Sequence, residues 1–184
     1  YEMLRSLVGS EMCIRDRRSS IGQGTNNYAP VQLARYVTTI ANEGNCYDLT
    51  LVNEIKNIDG RTVYKSDNVP KNTVDLTDSQ WAVIKQGMRQ MVSEHTSPSA
   101  LINQINVNVA GKTGTAEEDT TRPDHALFVS FAPYENPEVS VTCVIPHGYT
   151  SGNAEELAGM VYAYMYDPDK LDTLDITGNN QMSD

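Results

Sequence analysis

Basic residues are scarce in this 184-residue chain: 14 Lys and Arg stand against 24 Asp and Glu, a formal net charge of −10. Binding nucleic acid by bulk charge needs a basic face, so that class and nucleic-acid partners are excluded. No run of 18 apolar residues occurs, so no segment reads as a membrane-spanning helix. Cysteine is sparse too: Cys13, Cys46 and Cys143 form an odd set without a C-x-x-C pair, which signals neither a zinc ribbon nor a disulfide framework. Cys143 lies in an apolar run and reads as a small buried hydrophobe. His95, His125 and His147 never fall at i, i+4 spacing, so no metal site and no cofactor is predicted. What is present is 39% hydrophobic and 21% charged residues, the balance of a globular domain with one core.

The chain opens on Tyr1 rather than Met, and LVGSEMCIRDR within Tyr1 to Arg18 closely resembles a translated sequencing adapter. Residues 1–18 are therefore expected to be a non-native artefact, residues 19–166 a domain portion, and residues 167–184 an acidic, disordered tail.

Local structure follows from spacing. Pro30 suits a first helical position, and Leu33, Tyr36, Val37, Ile40 and Ala41 recur at three and four residues before Gly44, which predicts an amphipathic helix. Asp59-Gly60 between two β-prone runs predicts a hairpin over Leu51 to Lys65. Thr77 with Gln80 has the capping-box pattern, and Trp81, Ile84, Met88, Met91 and Val92 continue as a second helix. Ile105, Val107 and Val109 alternate with Asn106 and Asn108, predicting a strand that runs into Gly111-Lys112-Thr113-Gly114-Thr115. Ala126 to Phe131 and Val139 to Ile145 flank a proline-rich turn as two further strands. A last helix is expected from Asn153 as its cap, with Leu157, Val161, Tyr164 and Met165 on its apolar side. Short connections between successive strands mean antiparallel pairing, so the fold class is α+β.

Gly111-Lys112-Thr113-Gly114-Thr115 admits three readings. A phosphate loop needs a glycine at 106, where Asn106 stands, and a helix straight after the lysine, where Ala116-Glu117-Glu118-Asp119 would repel a nucleotide. A strand edge that binds an acyl substrate is the second: Lys offers charge to a carboxylate, Thr hydroxyls add directed hydrogen bonds, and Gly lets a ligand approach the backbone. A backbone N–H there could serve an oxyanion, worth about 3–4 kcal/mol per donor. The third is an ordinary strand end with a solvated lysine.

The surroundings carry a resemblance. Lys112-Thr113-Gly114-Thr115-Ala116-Glu117 resembles the Lys-Thr-Gly box of serine penicillin-binding proteins and their β-lactamase relatives. Ser20-Ile21-Gly22-Gln23-Gly24, Pro30-Val31-Gln32-Leu33-Ala34, Gly87-Met88, His125-Ala126-Leu127-Phe128-Val129, Phe131-Ala132-Pro133 and Val144-Ile145-Pro146-His147-Gly148-Tyr149 resemble class B penicillin-binding proteins, in the family's order. Ala29 departs from it, standing where the family usually has a capping Thr. The resemblance covers about Ser19 to Tyr166. It implies a β-lactamase/transpeptidase-like fold, an antiparallel sheet flanked by helices and incomplete at the N-terminal side. It also implies D,D-transpeptidation of peptidoglycan stem peptides ending in D-Ala-D-Ala through a serine acyl-enzyme, with β-lactams acylating the same serine. By position, Lys112 would set the electrostatics for the substrate carboxylate and the proton shuttle. Thr113 and Thr115 would offer hydroxyls, Gly114 clearance, and the Thr115 N–H half of an oxyanion hole. A cell-wall complex with a glycosyltransferase, at the extracytoplasmic face of the cell membrane, is implied with it. The Gly148 to Asn153 context looks more like the elongation type than the division type.

The family's nucleophile lies in Ser-x-x-Lys, and no serine here has Lys three residues later. Ser66-Asp67-Asn68 and Ser151-Gly152-Asn153 match the second motif, Ser-x-Asn, in letters but fall at the wrong places in the order. The chain is therefore expected to be inactive by itself. A serine β-lactamase or penicillin-sensing receptor domain shares the Lys-Thr-Gly box and is the first alternative, although Ile-Gly-Gln-Gly and Pro-Val-Gln-Leu-Ala favour the transpeptidase. A non-catalytic cell-wall interaction module is the second.

Overall fold

The computed structural model describes residues 28–118 and 120–171, so the stretch 1–18, the Ile-Gly-Gln-Gly segment and the tail beyond Leu171 lie outside the described residues. Helix α1 (Pro30–Ala41) starts as its proline predicts. Ala29 offers no side-chain cap, and Gln32 Oε1 accepts the Ala29 N–H at 2.8 Å in compensation. After α1 the chain turns through Gly44 at φ +94°, where a Cβ would sit 2.4 Å from the Val74 carbonyl oxygen. Both the angle and the contact demand glycine.

Strand β1 (Asn45–Cys46) pairs with β4 (Asn72–Thr73), and between them the expected hairpin forms from β2 (Glu54–Lys56) and β3 (Thr62–Lys65). Helix α2 (Asp78–Gln90) carries the predicted capping box: Thr77 Oγ1 accepts the Gln80 N–H, and Gln80 Oε1 accepts the Thr77 N–H at 2.9 Å. It continues into one π-helical turn, Met91–His95, and a single-turn helix α3 (Leu101–Gln104) follows. The main sheet has the order β5 (Ala110–Ala116), β6 (His125–Ala132), β7 (Val139–Ile145), all antiparallel. Helix α4 (Ser151–Tyr166) and a short α5 (Pro168–Leu171) close the described chain.

The sheet separates two apolar clusters. Register places Ala126, Phe128 and Ser130 of β6 on the face packed by α4, together with Ala154, Ala158 and Tyr162. Phe131 and Val129 point the other way, toward Val37 and Ile40 of α1 and Trp81 and Met88 of α2. At the first face, Ser130 Oγ donates to the Val141 carbonyl at 3.2 Å. The buried Tyr162 hydroxyl therefore donates to Ser130 Oγ, 3.0 Å away. Burial pushes the Tyr162 hydroxyl pKa well up, so it keeps its proton and the pair stays neutral.

Four expectations are corrected. Residues 105–109 alternate in burial as predicted but form no strand: β6, the partner, ends at Ala132, Pro133 has no N–H, and only a single backbone bond, from the Tyr134 N–H to the Asn108 carbonyl at 2.8 Å, reaches the segment beyond it. Arg89 also ties the segment down, donating to the Val109 carbonyl at 3.2 Å and to Asn108 Oδ1 at 2.8 Å. Asn153 does not cap α4. Thr150 does, and Asn153 Nδ2 donates back to the Gly148 carbonyl. The helix also buries a different face: Ala154, Ala158, Gly159 and Ala163 pack inward while Leu157, Val161, Tyr164 and Met165 are exposed. Small residues let the axis approach closely, and a Cβ on Gly159 would lie 3.2 Å from Ile102 N. Finally, the tail expected to be disordered from Asp167 onward begins with the turn of α5. Of the α1 residues, Ile40 is buried and Tyr36 is exposed.

Candidate active site

Strand β5 carries Lys112, Thr113, Gly114 and Thr115, and it pairs with β6 alone among the described residues, so its other edge is free. The register sets the side chains. Gly111, Thr113 and Thr115 oppose Ser130, Phe128 and Ala126, whereas Lys112 and Gly114 oppose Val129 and Leu127 on the other face. Gly111 is required by packing, because a Cβ there would lie 2.5 Å from Phe128 Cζ and 3.0 Å from Ser130 Cβ. The aromatic ring of the neighbouring strand thus fixes the height of the backbone just before Lys112.

Lys112 is exposed, and its ammonium donates to the Thr113 carbonyl at 2.9 Å, with Thr113 Oγ1 at 3.5 Å. None of the ion pairs among the described residues engages it, so its charge is available to a ligand. Thr113 Oγ1 lies 3.9 Å from Met91 Sδ, a contact made by the π-helical turn. Although Lys112 and Thr113 occupy opposite faces, both line one cavity of about 900 Å³, together with residues of the π-helical turn, α3 and α4. Gly114 and Thr115 do not line it.

The same cavity contains a residue the sequence did not flag. Glu155, in the second turn of α4, is 7% exposed, and its Oε1 has no hydrogen-bond partner. Burial raises its carboxyl pKa, opposed in part by a hydrogen bond from the Thr96 side chain. A carboxyl raised above its unfolded value binds more protons in the folded state, so it favours folding at low pH and ceases to do so as pH rises through the folded pKa. The stability of Glu155→Gln is therefore expected to gain on that of the unsubstituted protein as pH rises above about 4.5. Thermal melts of both at a series of pH values check this, and a difference independent of pH would show that Glu155 titrates as an ordinary solvated acid.

Beyond the end of β5, three groups scattered in sequence meet: Glu118, His125 and His147, whose ligand atoms lie within 4.8 Å of one another. Spacing could not reveal this cluster, since β6 and the β7–α4 turn bring its members together. The hydrogen bonds decide what it can do. His147 N–H donates to His125 Nδ1 at 3.0 Å, which in the neutral ring places the proton on Nε2, facing Glu118 Oε2 at 3.2 Å. A metal at His125 Nε2 would need that proton moved to Nδ1, against a backbone donor. The arrangement suits a clamp between the β5–β6 connection and the β7–α4 turn better than a metal centre.

Solved structures share this architecture. Penicillin-binding protein 2B of Streptococcus pneumoniae superposes with a TM-score of 0.66 at 31% identity, covering 77% of this chain and 25% of that one. Pseudomonas aeruginosa PBP2 in complex with WCK 5153 gives a TM-score of 0.66 at 30% identity over 96% of this chain and 37% of that one. Among proteins compared by sequence, penicillin-binding protein 2B of S. pneumoniae is 35% identical over 133 residues, 66% of this chain. The peptidoglycan D,D-transpeptidase MrdA of Haemophilus influenzae is 30% identical over 78% of this chain. The family model of the penicillin-binding protein transpeptidase domain matches residues 10–165. The chain belongs to that family. It spans about a fifth to a quarter of the length of these curated relatives, 20% of the first and 24% of the second.

Proposed function

We propose that this chain is part of a serine-type peptidoglycan D,D-transpeptidase of class B, of the elongation type, that cross-links stem peptides at the extracytoplasmic face of the cell membrane. The observation that carries this reading is the Lys-Thr-Gly-Thr segment on the strand edge left unpaired among the described residues, with Lys112, engaged in none of the described ion pairs, lining a cavity. Lys112 and the Thr113 hydroxyl, which line that cavity, would hold the terminal carboxylate of the D-Ala-D-Ala donor, and farther along the same strand edge, outside the cavity, Gly114 would leave room and Thr115 would give its hydroxyl to that carboxylate and its N–H to the developing oxyanion. Supporting it, relatives bear the name peptidoglycan D,D-transpeptidase, and penicillin-binding protein A of Mycobacterium tuberculosis has been solved as an imipenem acyl-enzyme, with 25% identity and a TM-score of 0.66 over 80% of this chain and 33% of that one. β-Lactams are accordingly ligands of the complete enzyme, and a glycosyltransferase is its partner in the cell-wall complex. The elongation assignment rests on the Gly148 to Asn153 context and on the MrdA relatives.

The attacking serine must come from sequence outside this chain, because no Ser-x-x-Lys is present. Fluorescent penicillin followed by denaturing electrophoresis tests the reading: the 184-residue chain should stay unlabelled, while a longer protein containing it and a Ser-x-x-Lys should label covalently and be protected by excess imipenem. Stable labelling of the 184-residue chain would mean that the nucleophile has been misplaced.

A further inference from the structure

The cluster beyond the end of β5 joins two segments through hydrogen bonds whose directions are fixed. The His147 ring meets the Pro123 carbonyl at 3.1 Å, and because a carbonyl oxygen only accepts, that Nδ1 carries a proton. The His147 backbone N–H donates to His125 Nδ1 at 3.0 Å, so that nitrogen carries none. The Tyr149 N–H donates to the Asp124 carbonyl at 3.1 Å. Three consecutive residues, Pro123 to His125, therefore hold the turn between β7 and α4.

That turn is bent in a way side chains resist. His147 and Tyr149 both have left-handed backbones, at φ +53° and +66°, a region that residues with a Cβ seldom occupy unless surrounding contacts impose it. The turn leads straight into the cavity wall. The Gly148 carbonyl accepts the Thr150 N–H and Asn153 Nδ2, each at 2.8 Å, and Ser151 and Gly152 line the same cavity as Lys112 and Thr113. Of the three bonds that hold the turn, only the one at His125 Nδ1 uses a lone pair that a proton can take. The Pro123 and Asp124 carbonyls remain acceptors, and the His147 Nδ1–H remains a donor when that ring is charged.

We propose that His125 is a proton-operated latch: neutral, it holds the β7–α4 turn closed through the His147 N–H, and protonated at Nδ1 it releases that turn and the Ser151–Gly152 wall of the cavity. A proton from solvent adds to Nδ1, so the N–H···N bond gives way to two donors facing each other. Among the described residues, two titratable groups face the ring. Glu118 Oε2, 3.2 Å from Nε2, favours the charged ring, and the His147 ring, with its centroid 4.8 Å away, opposes it when charged itself. Ala116, opposite His125 on β5, brings no charge. The Glu118 contact lies on the Nε2 side, so acid frees the turn without freeing the ring. None of this depends on the transpeptidase reading.

The test uses the 184-residue chain, uniformly labelled with ¹⁵N, taken from about pH 8 to about pH 5. While the His125 ring is neutral, it should show a bare Nδ1 and a coupling across the hydrogen bond to the His147 amide nitrogen. As that ring takes up its proton, the coupling should vanish. Exchange of the His147 and Tyr149 amides with solvent, corrected for its intrinsic pH dependence, should quicken by about tenfold or more. The Ser151 and Gly152 amides should shift with the same midpoint. His125→Asn puts an amide oxygen where Nδ1 stood, so it should keep the turn closed over the whole range. His147→Asn retains a donor for the Pro123 carbonyl and suits a left-handed backbone, and it should respond to pH as the unsubstituted chain does, as should Glu118→Gln. A proton on Nδ1 of the neutral ring, or a coupling that survives the His125 titration, would overturn the proposal with no variant needed. Loss of the response in a folded His147→Asn or Glu118→Gln protein would assign the proton to that residue and overturn it too.

Discussion

Lys112→Ala in the complete enzyme is expected to slow acylation by penicillin on the order of 10²- to 10⁴-fold, the range for losing a positioned group that shuttles a proton and stabilises charge. The melting temperature should scarcely move. Lys112 is exposed and donates only to the Thr113 carbonyl and hydroxyl, and no described carboxylate pairs with it. Removing the ammonium therefore strands no buried partner, and exposed sites of this kind change stability by about 0.5 kcal/mol or less. The contrast between rate and stability is the informative part. Lys112→Arg keeps the charge but replaces a compact ammonium by a wide planar fork, so it should recover only part of the rate. Stopped-flow acylation and thermal melts of the three proteins decide the matter. Unchanged acylation in the alanine variant would return the lysine to the reading of a solvated strand end.

Phe128→Ala should cost about 3–5 kcal/mol, the usual range for emptying a buried aromatic site. The ring is fully buried on the α4 face and opposes Thr113 across the β5–β6 ladder. Collapse into the space is restricted, because the strand beneath it is glycine at position 111, placed so that a Cβ would meet the ring at 2.5 Å. The void therefore opens directly under the backbone that presents Lys112, and acylation by the complete enzyme should fall along with stability. Urea unfolding gives the energy. A loss of about 1 kcal/mol or less would indicate that the sheet and α4 close over the site. Gly111→Val tests the same contact from the opposite side, by overpacking it.

The segments that carry the site were legible because their signals are local. Pro30, the Thr77–Gln80 box, Asp59-Gly60 and the apolar runs of β6 and β7 each act within a few residues, and each element formed where they placed it. The failures share a cause. Alternation at Ile105 to Val109 was real, but a strand also needs a partner, and β6 ends at Ala132 before a residue without an N–H. The long apolar side chains of α4 marked the wrong face, since the sheet selected the alanine and glycine side that permits close approach.

The sequence alone determined that this is an α+β domain with a Lys-Thr-Gly strand, because periodicity, caps and a contiguous motif are written in neighbouring residues. The tertiary structure decided what that strand faces. Only the packing of α4 against the sheet puts Glu155 in the cavity with Lys112, 43 positions earlier in the numbering, and only the β6 register and the β7–α4 turn bring Glu118 and His147 to His125. Such contacts join residues far apart along the chain, and no local spacing encodes the distance between them.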